Sequence, residues 1–171
     1  GKKTTSHTLI FPRYHQLDAV NKILDDVRAT GSGQRYLIQH SAGSGKTRTI
    51  AWSAHRLATL HDAANAKVFD SVIVVTDRTV LDAQLQEAVK QIEAQPGFVA
   101  TISEREAAKK GFGAKSKYLT DVLAAGKNII VVTIQTFPFV LDAIQDNQSL
   151  KGKKFAVIAD EAHSSQSGQT A

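Results

Sequence analysis

The stretch Tyr36-Leu37-Ile38-Gln39-His40-Ser41-Ala42-Gly43-Ser44-Gly45-Lys46-Thr47 reads as strand, glycine-rich loop and helix start, a composition suited to cradling nucleotide phosphates. Gly43 and Gly45 let the backbone fold back, so that successive N–H groups around Ser44 converge on an anion. Lys46 supplies a point charge that reaches the β- and γ-phosphates. The Thr47 hydroxyl is a ligand for Mg²⁺, and the helix opening here adds the positive end of its dipole. The generic phosphate-loop pattern G-x-x-x-x-G-K-[ST] has glycine where this chain has His40. That position shapes the approach to the loop, whereas Gly43, Gly45, Lys46 and Thr47 make the phosphate and metal contacts. The competing reading is an ordinary glycine-serine turn at the end of a strand.

In parallel α/β sheets, ligands bind outside the carboxyl ends of the strands. The apolar run Phe155-Ala156-Val157-Ile158-Ala159 leads straight into Asp160-Glu161-Ala162-His163, so two adjacent carboxylates arrive at such an edge. Neighbouring positions there point in different directions. This lets Asp160 hold Mg²⁺ through water while Glu161 orients and deprotonates an attacking water. Taken alone, the tetrapeptide is equally an acidic loop or an Asp capping a helix. Together with a phosphate loop on the same sheet, it indicates an ATP-hydrolysing fold. Kinases and GTPases of the phosphate-loop class are the rivals, but no Asn-Lys-x-Asp guanine-reading sequence occurs, and ATP is the favoured nucleotide.

These residues need a scaffold, and the apolar pattern supplies one. Leu17, Val20, Ile23, Leu24 and Val27 recur at helical spacing between Tyr14 and Ala29, and Gly31-Ser32-Gly33 ends the pattern. A strand is expected over Arg35 to Gln39, then a helix from Lys46 to about Leu60 with Ile50, Ala54, Leu57 and Ala58 on one face. Residues 71–76, 128–133 and 155–159 are near-continuous β-branched runs of the kind buried on both faces of a parallel sheet. Phe98 to Ile102 reads as a shorter strand, and Val80 to Ile92, Tyr118 to Ala125 and Phe139 to Gln145 as helices. Alternation of this kind means right-handed crossovers and an α/β, doubly wound, mostly parallel sheet. Glu104 to Ser116 is the expected mobile insertion.

The chain's 171 residues suit one domain, and its 42% apolar content argues for a packed core. No cysteine occurs, which rules out disulfides and thiolate metal sites, and the six histidines are scattered without ligand spacing. No apolar run approaches the roughly 20 residues that span a bilayer, so no membrane partner is expected and a cytoplasmic location is. The net charge of +5 favours a polyanionic partner mildly. Lys109, Lys110, Lys115 and Lys117, interleaved with Phe112 and Tyr118, suit a nucleic-acid backbone with base stacking, although a plain solvated loop is the favoured reading. A start at Gly1, no methionine and a stop at Ala171 soon after the acidic motif suggest a piece of a longer protein.

The loop together with Asp160-Glu161-Ala162-His163 resembles the superfamily-two helicases and translocases. It resembles more closely the motor subunit of type I restriction enzymes, in which Ile-Gln-His before the loop and Ser-Gln after the acidic motif are familiar. Ile38-Gln39-His40 and Ser165-Gln166 match, which accounts for His40. Arg13-Tyr14-His15-Gln16 looks like the adenine-recognition motif, implying that Arg13 and Gln16 join the ATP site; a Gln amide can read the N6 donor and N7 acceptor of adenine. Val75-Thr76-Asp77-Arg78, Asp82-Ala83-Gln84-Leu85 and Thr133-Ile134-Gln135-Thr136-Phe137 look like motifs contacting a nucleic-acid backbone. DNA contacts are thereby implied for Thr76, Arg78, Gln84, Thr133, Gln135 and Thr136, and a role in coupling hydrolysis to movement for His163.

The resemblance implies that residues 1–171 form a single RecA-like lobe, the first of two, using ATP and Mg²⁺. The whole enzyme would be a bacterial or archaeal complex with methyltransferase and specificity subunits. It would pump double-stranded DNA past itself and cut far away with a nuclease domain. A nucleotide- or DNA-binding module without catalysis, or another superfamily-two motor acting on DNA or RNA, are the alternatives.

Overall fold

The computed structural model describes residues 11–41, 43–76, 79–92 and 97–160, with the backbone alone over residues 79–84. Helix α1 (Tyr14–Thr30) and helix α2 (Lys46–Ala58) come first, followed by β1 (Ser71–Thr76), α3 (Thr79–Gln91), β2 (Val99–Thr101), α4 (Glu104–Lys109) and α5 (Lys115–Ala124). Strand β3 (Ile129–Thr133), α6 (Phe137–Asp146) and β4 (Phe155–Ala159) complete the order. The four strands form one sheet in the order β2-β3-β1-β4, and every pairing is parallel. Val74 of β1 faces Val131 of β3 on one side and Ile158 of β4 on the other.

Period-two alternation sends the central strands into two cores, which is how a sheet with helices on both faces comes about. Val72, Val74, Ile129 and Val131 pack with α1, α2 and α3 through Leu24, Ala54, Leu57 and Val89. Ile73, Val75, Ile130 and Val132 pack on the opposite face with Leu119, Leu123 and Val140 of α5 and α6. The α/β, doubly wound reading of the sequence therefore holds. The expected strands at residues 71–76, 98–102, 128–133 and 155–159 and the expected helices also hold, with ends shifted by a few residues.

Two expectations do not hold. Residues 35–39 form no strand: Leu37 is 87% exposed, and the Tyr36 hydroxyl donates to Asp26 on α1 at 2.6 Å. An apolar run becomes a strand only by joining a ladder, and this one is tied to a helix instead. Among the described residues β4 thus pairs with β1 alone, and Val157 at its middle is 51% exposed. The segment from Glu104 to Ser116 is not a mobile insertion but carries α4 and the start of α5. The Ser103 hydroxyl accepts the Glu106 N–H at 3.2 Å, Lys109 pairs with Glu106 at 3.0 Å, and Ala107 is buried. Tyr118 is buried with its ring 5.3 Å from that of Phe112, so neither forms the open stacking platform their spacing suggests. Burial, then the Glu106 and Asp121 charges, push the Tyr118 phenol above its ordinary range.

Candidate phosphate-binding site

Local chemistry explains why the loop turns into a helix where it does. Gly43 has φ +74° and Gly45 has φ +88°, a left-handed region that a side chain rarely tolerates. A Cβ on Gly43 would enter open space, so backbone conformation rather than crowding requires glycine there. Gly45 is the residue before α2, and its carbonyl accepts the N–H groups of Arg48 at 3.0 Å and Thr49 at 3.2 Å. The Ser44 N–H closes the turn onto Ser41 O at 3.2 Å. Lys46 and Thr47 are then the first two residues of α2, at the positive end of its dipole. Both are half-buried.

Chain connectivity sets where this helix end lies. Helix α2 packs on the sheet through Ile50, Ala54 and Leu57. A 13-residue helix and a six-residue strand are each about 20 Å long. The connection into the amino end of β1 is drawn tight by Val68 N–H on Leu60 O and by the Asp70 N–H on Lys154 O. To reach β1 this way, α2 runs antiparallel to the strands, with its N-terminus toward their carboxyl ends. Asp160 stands at that edge, directly after β4, with its N–H on Val75 O at 2.9 Å. The two halves anticipated from the sequence therefore share one edge of the sheet.

Helix α1 reaches the loop through Gln16, which is 2% exposed. The Gln16 Oε1 accepts the Arg13 N–H at 2.8 Å, while its Nε2 donates to Gly45 O at 2.9 Å and to Ser44 O at 3.3 Å. A Cβ on Gly45 would meet that Nε2, the end of a flexible side chain, so the left-handed φ is what calls for glycine at this position. His15 Nε2 is 3.1 Å from Ser44 O, and its ring sits edge-on to His40 at 5.6 Å. Sequence reasoning set His15 aside as a scattered histidine. Its separation of 29 residues from Ser44 leaves no signal in the sequence beyond its place beside Gln16.

The donor set fits a magnesium nucleotide. His40 Nε2 and Ser44 Oγ are buried without a hydrogen-bond partner among the described residues, and a polar group seated at the loop would satisfy them. Thr47 and Asp160 offer hard oxygen donors of the kind Mg²⁺ takes.

The expected DNA contacts divide by exposure. Gln135 is exposed just past β3, whereas Thr76 and Thr136 are 1% and 2% exposed. The hydroxyls of Thr133 and Thr136 bond to each other at 2.9 Å, and Ile134 N–H bonds to Thr76 O at 2.8 Å. Thr76, Thr133 and Thr136 thus hold the strand ends together and leave Gln135 outermost. Arg13 is exposed, with its backbone N–H on Gln16. Arg78, Glu161, His163, Ser165 and Gln166 lie outside the described residues, as does the side chain of Gln84.

Residues 15–171 match the SWI2/SNF2 ATPase family. A protein of Mycoplasma pneumoniae (strain ATCC 29342 / M129 / Subtype 1), described as a type I restriction enzyme MpnIIP endonuclease subunit, C-terminal part, is 30% identical over 167 residues, covering 92% of this chain and 73% of that protein. No solved structure matches the chain. Among the described residues, no helix is long and apolar enough to cross a membrane.

Proposed function

The chain belongs to the SWI2/SNF2 ATPase family, and from that membership we propose that it is the first motor lobe of an ATP-driven translocase acting on double-stranded DNA within a type I restriction endonuclease. The observation that carries this reading is the convergence of the Gly45-Lys46 loop and Asp160 on one edge of a parallel sheet. The resemblance to a restriction-enzyme subunit supports the choice of DNA over RNA. On this reading the protein works in the cytoplasm of a bacterium or archaeon beside methyltransferase and specificity subunits.

The loop from Gly43 to Thr47 encloses the phosphates, and Lys46 neutralises charge on the β- and γ-oxygens. Arg13 and Gln16 border the same site. Thr47 and Asp160 would hold Mg²⁺, which would neutralise charge developing during phosphoryl transfer. Glu161 holds the attacking water and takes its proton, and His163 couples turnover to movement. A lysine that donates charge-assisted hydrogen bonds contributes about 1.5–3 kcal/mol. Lys46→Ala should therefore weaken Mg-ATP binding by roughly 10- to 150-fold while the melting temperature stays within a few degrees, because Lys46 lies outside the two cores. Calorimetric titration of a folded variant that binds ATP as tightly as the parent protein would remove the site assignment.

DNA is expected to bind through phosphates, at Gln135, Arg78 and Gln84 and at the exposed lysines Lys110 and Lys117. Phosphate contacts carry no sequence information. Binding should therefore be indifferent to sequence and fall steeply between 50 and 200 mM salt, by roughly tenfold or more for a few neutralised phosphates. Fluorescence anisotropy with two unrelated duplexes tests this; a strong preference for one duplex, or a flat salt response, contradicts it.

A further inference from the structure

We infer that the amino-terminal edge of the sheet, opposite the phosphate loop, is a second contact for the phosphate backbone of duplex DNA, made by Lys151, Lys153 and Lys154. The inference rests on reading the chain as a DNA-acting motor, and it adds a contact at the end of the lobe away from the nucleotide. All pairings are parallel, so the segments that enter β1, β3 and β4 share one edge. Those segments carry Lys67, Lys127, Lys151, Lys153 and Lys154. Lys154 directly precedes β4 and Lys127 lies two residues before β3, the two neighbours of β1. They therefore stand about 10 Å apart, two strand spacings, a length over which a duplex carries roughly six charges. Asp62, Asp70 and Asp146 are the carboxylates in or beside these segments, so positive charge is in excess.

The five lysines divide by what they already hold. Lys67 Nζ donates to Asn128 Oδ1, and Lys127 Nζ to Gly97 O at 3.0 Å. These two raise the local potential while tying strand entries together. The ammonium groups of Lys151, Lys153 and Lys154 have no ion-pair or hydrogen-bond partner among the described residues. The turn that presents them is nevertheless held in shape. Leu150 is 1% exposed and anchors it in the core. The Lys153 N–H donates to Leu150 O at 3.2 Å, the Lys151 N–H to Gln148 O at 3.3 Å, and the Lys154 N–H to Asp70 Oδ2 at 2.8 Å. Gly152 takes the φ of +82° that the reversal needs. With the backbone already ordered, the entropy lost on binding is confined to the lysine side chains.

The composition of this edge selects its partner. Protein interfaces are apolar at their centre and poor in lysine. The exposed large apolar side chains among the described residues lie elsewhere, at Phe11 and on α1, at residues 36–38, on α6 and at the middle of β4. Lysines without apolar companions suit phosphates, which ask for charge rather than for a fitted surface.

The test combines Lys151→Gln, Lys153→Gln and Lys154→Gln in one variant of the 171-residue chain, with thermal melting and Mg-ATP titration to show that the lobe is otherwise unaltered. Fluorescence anisotropy with a short duplex is run between about 50 and 200 mM salt. Affinity is expected to fall by about tenfold or more, and the slope of log affinity against log salt to shrink by about two to three, at roughly 0.9 per lost phosphate contact. In the parent chain, DNA should shield the same three lysines from acetylation, read by mass spectrometry. Unchanged affinity and slope, with the three lysines acetylated as fast with DNA as without it, overturns the inference. It leaves them to offset the negative helix ends gathered at this edge, α2 at Ala58 and α5 at Ala124. Shielding by poly-L-glutamate but not by DNA overturns it as well and makes the edge a contact for an acidic protein. A parent chain that binds no duplex overturns the DNA reading of the lobe itself.

Discussion

Replacing Glu161 by Gln in the whole enzyme is expected to leave Mg-ATP binding intact and to reduce ATP turnover by about 10²- to 10⁴-fold, the usual contribution of a positioned general base. Gln keeps the size and hydrogen-bonding reach of Glu but cannot take a proton from water. On the proposed reading, nucleotide affinity comes from the loop at Gly43 to Thr47 and from Asp160, none of which this substitution alters. Translocation and distant cleavage should fall together with turnover, since on the proposed reading the cut depends on the motor. Steady-state ATPase measurements, a DNA-displacement assay and cleavage of a circular substrate read the three activities. Normal cleavage by the variant would remove Glu161 from its proposed place in catalysis, and loss of ATP binding would mean that it holds the nucleotide rather than the water.

On the same reading, a larger effect is expected from a second lobe. In phosphoryl transfer between two lobes, an arginine reaching across the cleft is worth on the order of 10³ to 10⁵ in rate. The 171-residue chain by itself should therefore bind Mg-ATP and hydrolyse it at a small fraction of the rate of a protein that includes the second lobe, and duplex DNA should not stimulate it. Binding survives because Lys46, Thr47 and Asp160 all belong to this chain and share one sheet edge. Single-turnover hydrolysis by the two proteins, with and without DNA, makes the comparison. Robust DNA-stimulated turnover by the chain alone would contradict the division of catalysis between lobes.

Much of the architecture is legible in the sequence because its signals are local. The runs at residues 71–76 and 129–133 are near-continuously apolar, as suits a central strand of a parallel sheet that is covered on both faces. Leu17, Val20, Leu24 and Val27 repeat at a helical period, and α1 buries Val20, Leu24 and Val27 from that set. The loop is equally plain, since positive φ at Gly43 and Gly45 requires glycine, and a helix start is where Lys46 and Thr47 acquire their chemistry. These choices follow from each residue's own backbone preference and its nearest neighbours.

Other outcomes depended on partners distant in the chain. Arg35 to Gln39 has a strand's composition, but a strand exists only with a ladder, and Tyr36 is bonded to Asp26 on α1 while Leu37 faces solvent. Tyr118 has the spacing of a base-stacking residue, yet α5 turns it inward against Phe112. Gln16 lies in a stretch that resembles an adenine-recognition motif, and nothing within five residues of it in sequence reveals that its amide nitrogen donates to loop carbonyls 28 and 29 residues away. Composition and period determine which elements form and which backbone positions need glycine, because those are properties of short segments. Which side chains are left open to a ligand was decided by the tertiary structure, because hydrogen-bond capacity is taken up by whatever group packing brings within about 3 Å.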